Sequence, residues 1–99
     1  MDNDDIFRNG YSNLQAFVLS EIRRRQISAR EFADLVGVTH ATINKCVNAA
    51  AGNPSIELLL RLSKATETDL MSIIALAFPE ITNQTRPHPE AFILDKRFS

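Results

Sequence analysis

The chain has 99 residues, 44% of them hydrophobic and 23% charged, which fits one ordered domain with a modest core and excludes a wholly disordered chain. A single cysteine excludes an internal disulfide, no apolar run reaches the roughly 18–20 residues of a membrane span, and no basic-then-apolar leader opens the chain, so a cytoplasmic protein is expected. The net charge of −1 and pI of about 6.1 carry no overall signature of a nucleic-acid binder.

Met1–Gly10 is polar and acidic, and residues 1–12 are expected to form an N-terminal arm in which Gly10-Tyr11-Ser12-Asn13 turns into the first helix. From Leu14 to Arg25, apolar residues recur at Leu14, Phe17, Val18 and Ile22, the three-and-four spacing of an amphipathic helix. Ser28-Ala29-Arg30-Glu31 reads as a capping box. The serine hydroxyl accepts a backbone N–H three residues on, and the glutamate reaches back. Phe32, Leu35 and Val36, with Ala33 beside them, give this second helix its apolar stripe. Gly37 ends it, since glycine enters the left-handed region without strain.

Thr39 is the cap of a third helix, on which Ile43, Cys46 and Val47 share one face. The connection Ala49–Asn53 precedes Pro54, which suits the first turn of a fourth helix. Ile56, Leu58, Leu59, Leu60 and Leu62 make that helix apolar on more than one side, as a central core helix would be. Thr66–Asp69 interrupts it and caps a fifth helix striped by Leu70, Ile73, Ile74 and Ala77, which stops at Phe78-Pro79. The folded domain is expected over residues 13–79. Beyond it, residues 80–99 form an extension in which Pro87 and Pro89 lead to an apolar cluster at Ala91–Leu94.

The second and third helices, joined by a short glycine-containing turn, make a helix-turn-helix in an all-α, five-helix domain. Ala33 is placed where the two helices cross and has no room for a larger side chain. Val38 plugs the turn, and Ile43 and Cys46 dock the third helix on the second. The near-neutral charge is an average. Residues 1–19, with Asp2, Asp4, Asp5 and Arg8, carry −2, and residues 49–80 carry −2. Residues 20–48, with Arg23, Arg24, Arg25, Arg30 and Lys45 against Glu21, Glu31 and Asp34, carry +2. Any phosphate affinity should therefore come from the middle segment, although Arg23–Arg25 also suit a helix C-terminus, where cations complement the dipole.

Ser28–Asn48, S-A-R-E-F-A-D-L-V-G-V-T-H-A-T-I-N-K-C-V-N, resembles the helix-turn-helix of the lambda-repressor/Cro-like (Xre) DNA-binding proteins. The resemblance continues through N-P-S-I-E-L-L-L-R-L-S-K-A and T-D-L-M-S-I-I, and covers Leu14 to Phe78. It implies that the third helix enters the major groove of double-stranded DNA by its N-terminal end. By position, Thr39, His40, Ala41, Asn44, Lys45 and Asn48 would then face DNA. Asn44 could pair bidentately with an adenine edge, and Ala41 could touch a thymine methyl. His40 could bond a base or phosphate, and Thr39 a phosphate. Lys45 and Asn48 suit the backbone or flanking bases. Arg30 would lie near a phosphate at the start of the second helix.

Where the family often has a glycine and basic residues after the third helix, this chain has Ala49-Ala50-Ala51. One copy then neutralises few phosphates, so counterion release supplies little affinity, and a homodimer on a palindrome is expected. The reading is a sequence-specific transcriptional regulator, a repressor that occupies a promoter. Alternatives are an antitoxin that autoregulates through the same domain and binds a toxin, and a helical protein-interaction module whose third helix never meets DNA. No carboxylate pair, metal spacing, nucleophile–base pair or phosphate loop suggests an enzyme, a metal or a cofactor. Cys46 reads as a small buried hydrophobe, and His88 is too far from His40 in sequence to suggest a shared metal. The extension is expected to serve dimerisation, self-docking or a partner protein.

Overall fold

The computed structural model describes residues 9–79, and the regular elements among them are all helices. They are α1 (Gly10–Arg25), α2 (Ala29–Val36), α3 (His40–Val47), α4 (Ile56–Thr66) and α5 (Leu70–Ala77). The domain these residues form is all-α, as expected. The readings made on residues 1–8 and 80–99 lie outside the described residues.

Four helices start where a short polar side chain accepts a backbone N–H. Ser28 accepts from Glu31, Thr39 from Thr42, Ser55 from Leu58 and Asp69 from Ser72. At Ser28 the box is complete, since the Ser28 amide donates to Glu31 Oε1 at 2.8 Å. Each such cap satisfies one of the orphan donors of a helix start and contributes about 1 kcal/mol. Pro54 stands one residue before the Ser55 cap, outside the first turn where the sequence had placed it.

α1 begins differently. Gly10–Asn13 was expected to be a turn, but these residues are the first turn of the helix. Asn9 offers no side-chain cap there, and the Gly10 N–H instead donates to Asn53 Oδ1 at 3.3 Å. The glycine is needed for close approach. A Cβ on Gly10 would stand 2.4 Å from Pro54 Cδ, so the connection ahead of α4 packs directly on the α1 backbone. The signal read as a turn is a packing site between segments about 43 residues apart.

The core is built from all five helices. Leu14 and Val18 of α1, Phe32 and Ala33 of α2, Ile43 and Cys46 of α3, Leu59 and Leu62 of α4, and Ile73 and Ala77 of α5 are buried. Burying a Leu, Ile or Phe side chain of this kind contributes roughly 1.5–3 kcal/mol. α3 packs on both α1 and α2, α2 also meets α4, and α5 closes the bundle against α1 and α4. Asn13 Nδ2 ties the α1 start to the α5 end by donating to the Ala77 carbonyl at 2.9 Å.

Two apolar stripes are narrower than their sequences suggest. Leu35 is exposed rather than part of the α2 seam. Of the leucines and isoleucine of α4, Leu58, Leu59 and Leu62 are buried, while Ile56 is 62% and Leu60 44% exposed. α4 is therefore amphipathic, because its neighbours α2 and α5 leave one side uncovered.

Helix ends carry strain. Gly37 ends α2 at φ 87, and its N–H donates to the Ala33 carbonyl at 2.8 Å. Gln26, Ala49 and Glu67 adopt φ of 57, 52 and 54 at the ends of α1, α3 and α4, with side chains that disfavour this region. After α3, the Ala50 N–H donates to the Lys45 carbonyl at 2.8 Å and the Ala49 N–H to the Cys46 carbonyl at 3.2 Å. That is a Schellman end with alanine in the place glycine prefers. Ala49→Gly is accordingly expected to stabilise the fold by about 0.5–1 kcal/mol, relief of strain outweighing the added chain entropy. Thermal unfolding followed by circular dichroism checks this, and an unchanged or lower Tm contradicts it.

Candidate nucleic-acid interface

At 3.6 residues per turn, His40, Ala41, Asn44, Lys45 and Asn48 fall on one arc of α3 and its C-terminal cap, while Ile43 and Cys46 fall on the opposite arc. The inner arc is fully buried. On the outer arc Ala41, Lys45 and Asn48 are exposed, and His40 and Asn44 are half-buried. The turn that sets this orientation consists of Gly37, Val38 and Thr39. Gly37 makes the bend, and Val38 packs against the core from within it. Ala33, almost fully buried, allows the two helices to approach.

The Thr39 hydroxyl is partly committed. It caps α3 by accepting the Thr42 N–H at 3.2 Å, and it lies 2.9 Å from the Thr42 hydroxyl. The pair places two hydroxyls at the α3 start, and Thr42 was not among the residues singled out from sequence. The side chains of His40, Asn44 and Asn48 have no hydrogen-bond partner among the described residues, so their polar groups remain available to an incoming surface. Arg30 is exposed on the first turn of α2 and forms no ion pair among the described residues. Its neighbour Glu31 is turned back into the capping box.

The cations of the middle segment separate into two groups. Glu21 Oε1 pairs with Arg24 Nη2 at 2.6 Å and with Arg25 Nη2 at 3.2 Å. Arg25 Nη2 also donates to the Ala65 carbonyl at 3.4 Å, at the C-terminal end of α4. Arg24 and Arg25 therefore serve the helix end and the α1–α4 junction. Arg23, Arg30 and Lys45 have no carboxylate partner among the described residues.

α1 makes two further contacts with α3 that the sequence reading missed. Lys45 Nζ stands 5.6 Å from the centroid of the Tyr11 ring, within the range of a cation–π contact. Gln15 Nε2 donates to the Val47 carbonyl at 2.8 Å, which satisfies one of the open acceptors in the last turn of α3. Tyr11 and Gln15 are four residues apart, the spacing of one helix face. The pair is visible as a helix face only once α1 is seen to begin at Gly10, ahead of Tyr11.

Cys46 is buried under α3, and burial pushes its thiol up from 9.0 to about 11. No group of three or more His, Cys, Asp or Glu that could hold a metal ion occurs among the described residues. Nor is any helix there long and apolar enough to cross a membrane.

A protein-family model described as Helix-turn-helix matches residues 9–72. The chain belongs to this family, the Xre/lambda-repressor-like helix-turn-helix proteins, and carries a DNA-binding helix-turn-helix domain of a regulatory family that is typically non-enzymatic. Searches of curated proteins and of solved structures return no match.

The buried thiol gives a test of how α3 is docked. Below pH 9 the Cys46 thiol is protonated in both folded and unfolded chains. Between about 9 and about 11 only the unfolded chain ionises, so its contribution to stability is expected to fall as pH rises through that window. The native thiol is expected to react with a thiol reagent only as fast as the domain opens. Reaction of the folded protein at the rate of a free thiol would show that α3 does not seal it.

Proposed function

We propose that this protein is a sequence-specific transcriptional regulator, a repressor that binds a palindromic operator as a homodimer and acts in the cytoplasm at the nucleoid. The observation that carries the reading is the outer arc of α3. His40, Asn44 and Asn48 present uncommitted polar side chains there, beside exposed Ala41 and Lys45, on a helix whose other side is locked into the core. Small amide, imidazole and methyl groups suit the edges of base pairs in the major groove. Asn44 has the donor and acceptor to pair with an adenine, and Ala41 suits a thymine methyl. His40 and Asn48 bond neighbouring bases or the backbone. Thr39, Arg30 and Lys45 contact phosphates and fix the register.

Affinity argues for two copies. Arg23, Arg30 and Lys45 are the cations of the middle segment left without a carboxylate partner among the described residues. Counterion release from so few contacts gives weak binding at physiological salt. A second copy doubles the footprint and places two α3 helices about one DNA turn apart, roughly 34–36 Å.

Two substitutions separate reading from anchoring. Asn44→Ala is expected to cut discrimination between the chosen duplex and scrambled DNA by about 1–3 kcal/mol. Lys45→Ala is expected to weaken all sequences alike and to reduce the slope of log affinity against log salt by about 1. Fluorescence anisotropy on a duplex selected from a random pool, across a salt series, measures both. A chain that selects no sequence, or an Asn44→Ala variant indistinguishable from the parent, overturns the groove-reading proposal. Light scattering is expected to show a dimer for the free protein and two chains per duplex for the complex.

A further inference from the structure

α3 is eight residues long, too short to hold its own shape in water. Ile43 and Cys46 fix its inner side on the core, but nothing in that docking fixes the outer side chains. Lysine is the extreme case, with four rotatable bonds and a large entropy to lose when its ammonium is held in one place. The Tyr11 ring bears on this. Tyr11 is only 9% exposed, so the ring is a fixed surface. Its backbone N–H donates to the Gly52 carbonyl at 3.4 Å, and the ring edge lies against Gly52, where an added Cβ would stand 3.7 Å from Tyr11 Cε2. Lys45 lies over this anchored ring at 5.6 Å from its centroid.

We propose that Tyr11, with Gln15 one turn further along α1, is a positioning residue for DNA recognition: the ring holds the Lys45 ammonium at one place on the outer arc, and the Gln15 amide fixes the last turn of α3 beneath it. The inference deepens the proposed function and rests on it. Neither residue touches DNA in this arrangement. Tyr11 acts through Lys45, which loses less freedom on meeting a phosphate because the ring has already narrowed its range. The quadrupole of the ring supplies the attraction, so the phenolic hydroxyl is dispensable and phenylalanine suffices. Gln15 acts through the backbone. Its 2.8 Å bond to the Val47 carbonyl lies two residues beyond Lys45 and one before Asn48, so it fixes the turn that carries both.

The test uses the full chain and two readouts. In the free protein, ring current from Tyr11 is expected to move the Lys45 side-chain methylene resonances upfield. Tyr11→Leu should return them to the values of a free lysine, and Tyr11→Phe should restore the shift. On a duplex selected from a random pool, Tyr11→Leu is expected to weaken binding by about two- to tenfold, the range for freeing one long side chain. Tyr11→Phe should bind as the parent does. In a Lys45→Ala background, Tyr11→Leu should weaken binding no further, since the residue through which it acts is gone.

A Tyr11→Leu loss of the same size with and without Lys45 overturns the proposal, because Tyr11 would then act through the fold. An unshifted Lys45 in the parent overturns it as well. Circular dichroism shows whether Tyr11→Leu folds. If it does not, the parent spectrum and Gln15→Leu still decide: Gln15→Leu is expected to weaken binding and speed amide exchange at Asn48 and Ala50, and a variant that does neither counts against the clamp. If the parent binds no duplex, the proposed function fails, while the free-protein spectra still report whether the ring holds Lys45.

Discussion

The second helix of the helix-turn-helix, α3, has eight residues and two turns, and a peptide of that length is not a helix in water. Its shape is imposed by what it packs on. Ile43 and Cys46, both fully buried, press it onto α1 and α2, and Thr39 and the Ala49 turn close its two ends. The remaining parts of the domain serve this docking. Ala33 and Gly37 allow α2 to cross α3 closely. α4 and α5 supply Leu59, Leu62 and Ile73, which keep α1 and α2 from separating beneath it.

The electrostatics follow the same economy. A chain with a net charge of −1 cannot draw DNA by its overall field, so what matters is which cations are free. Glu21 takes Arg24 and Arg25 out of play at the end of α1, where they complement the helix dipole as well. Lys45 is treated differently. A neutral aromatic ring holds it, and a ring can fix an ammonium without cancelling its charge. Glu31, beside Arg30, is held back in its capping box.

The strain at the helix ends deepens this picture. Gln26, Ala49 and Glu67 occupy a backbone region where glycine is easier, and at Gln26 and Glu67 this lets the chain enter the next helix after three residues. α4 and α5, joined by one of these short connections, pack on each other. The domain gives up a little stability at these corners and recovers it in the buried face of each helix.

Local signals were enough for most of the frame. The capping box at Ser28, the glycine at 37, the Thr39 cap and the spacing of Ile43 and Cys46 locate the helix-turn-helix, because each acts over one helical turn and needs no distant partner. The same periodicity places His40, Ala41, Asn44, Lys45 and Asn48 on one arc. Where a distant segment intervenes, sequence misleads. Gly10 looks like a turn until Pro54 is seen packed against it, and Ile56 and Leu60 look like core until the edge of the bundle is known. Tyr11 and Gln15 carry no local mark of their part in α3, since their partners lie more than thirty residues away. The sequence by itself determined five helices, the caps of α2, α3 and α5 and the outward arc, all set by contacts within a turn. Only the tertiary structure decided which cations are free and what holds α3, because those depend on which distant side chains meet.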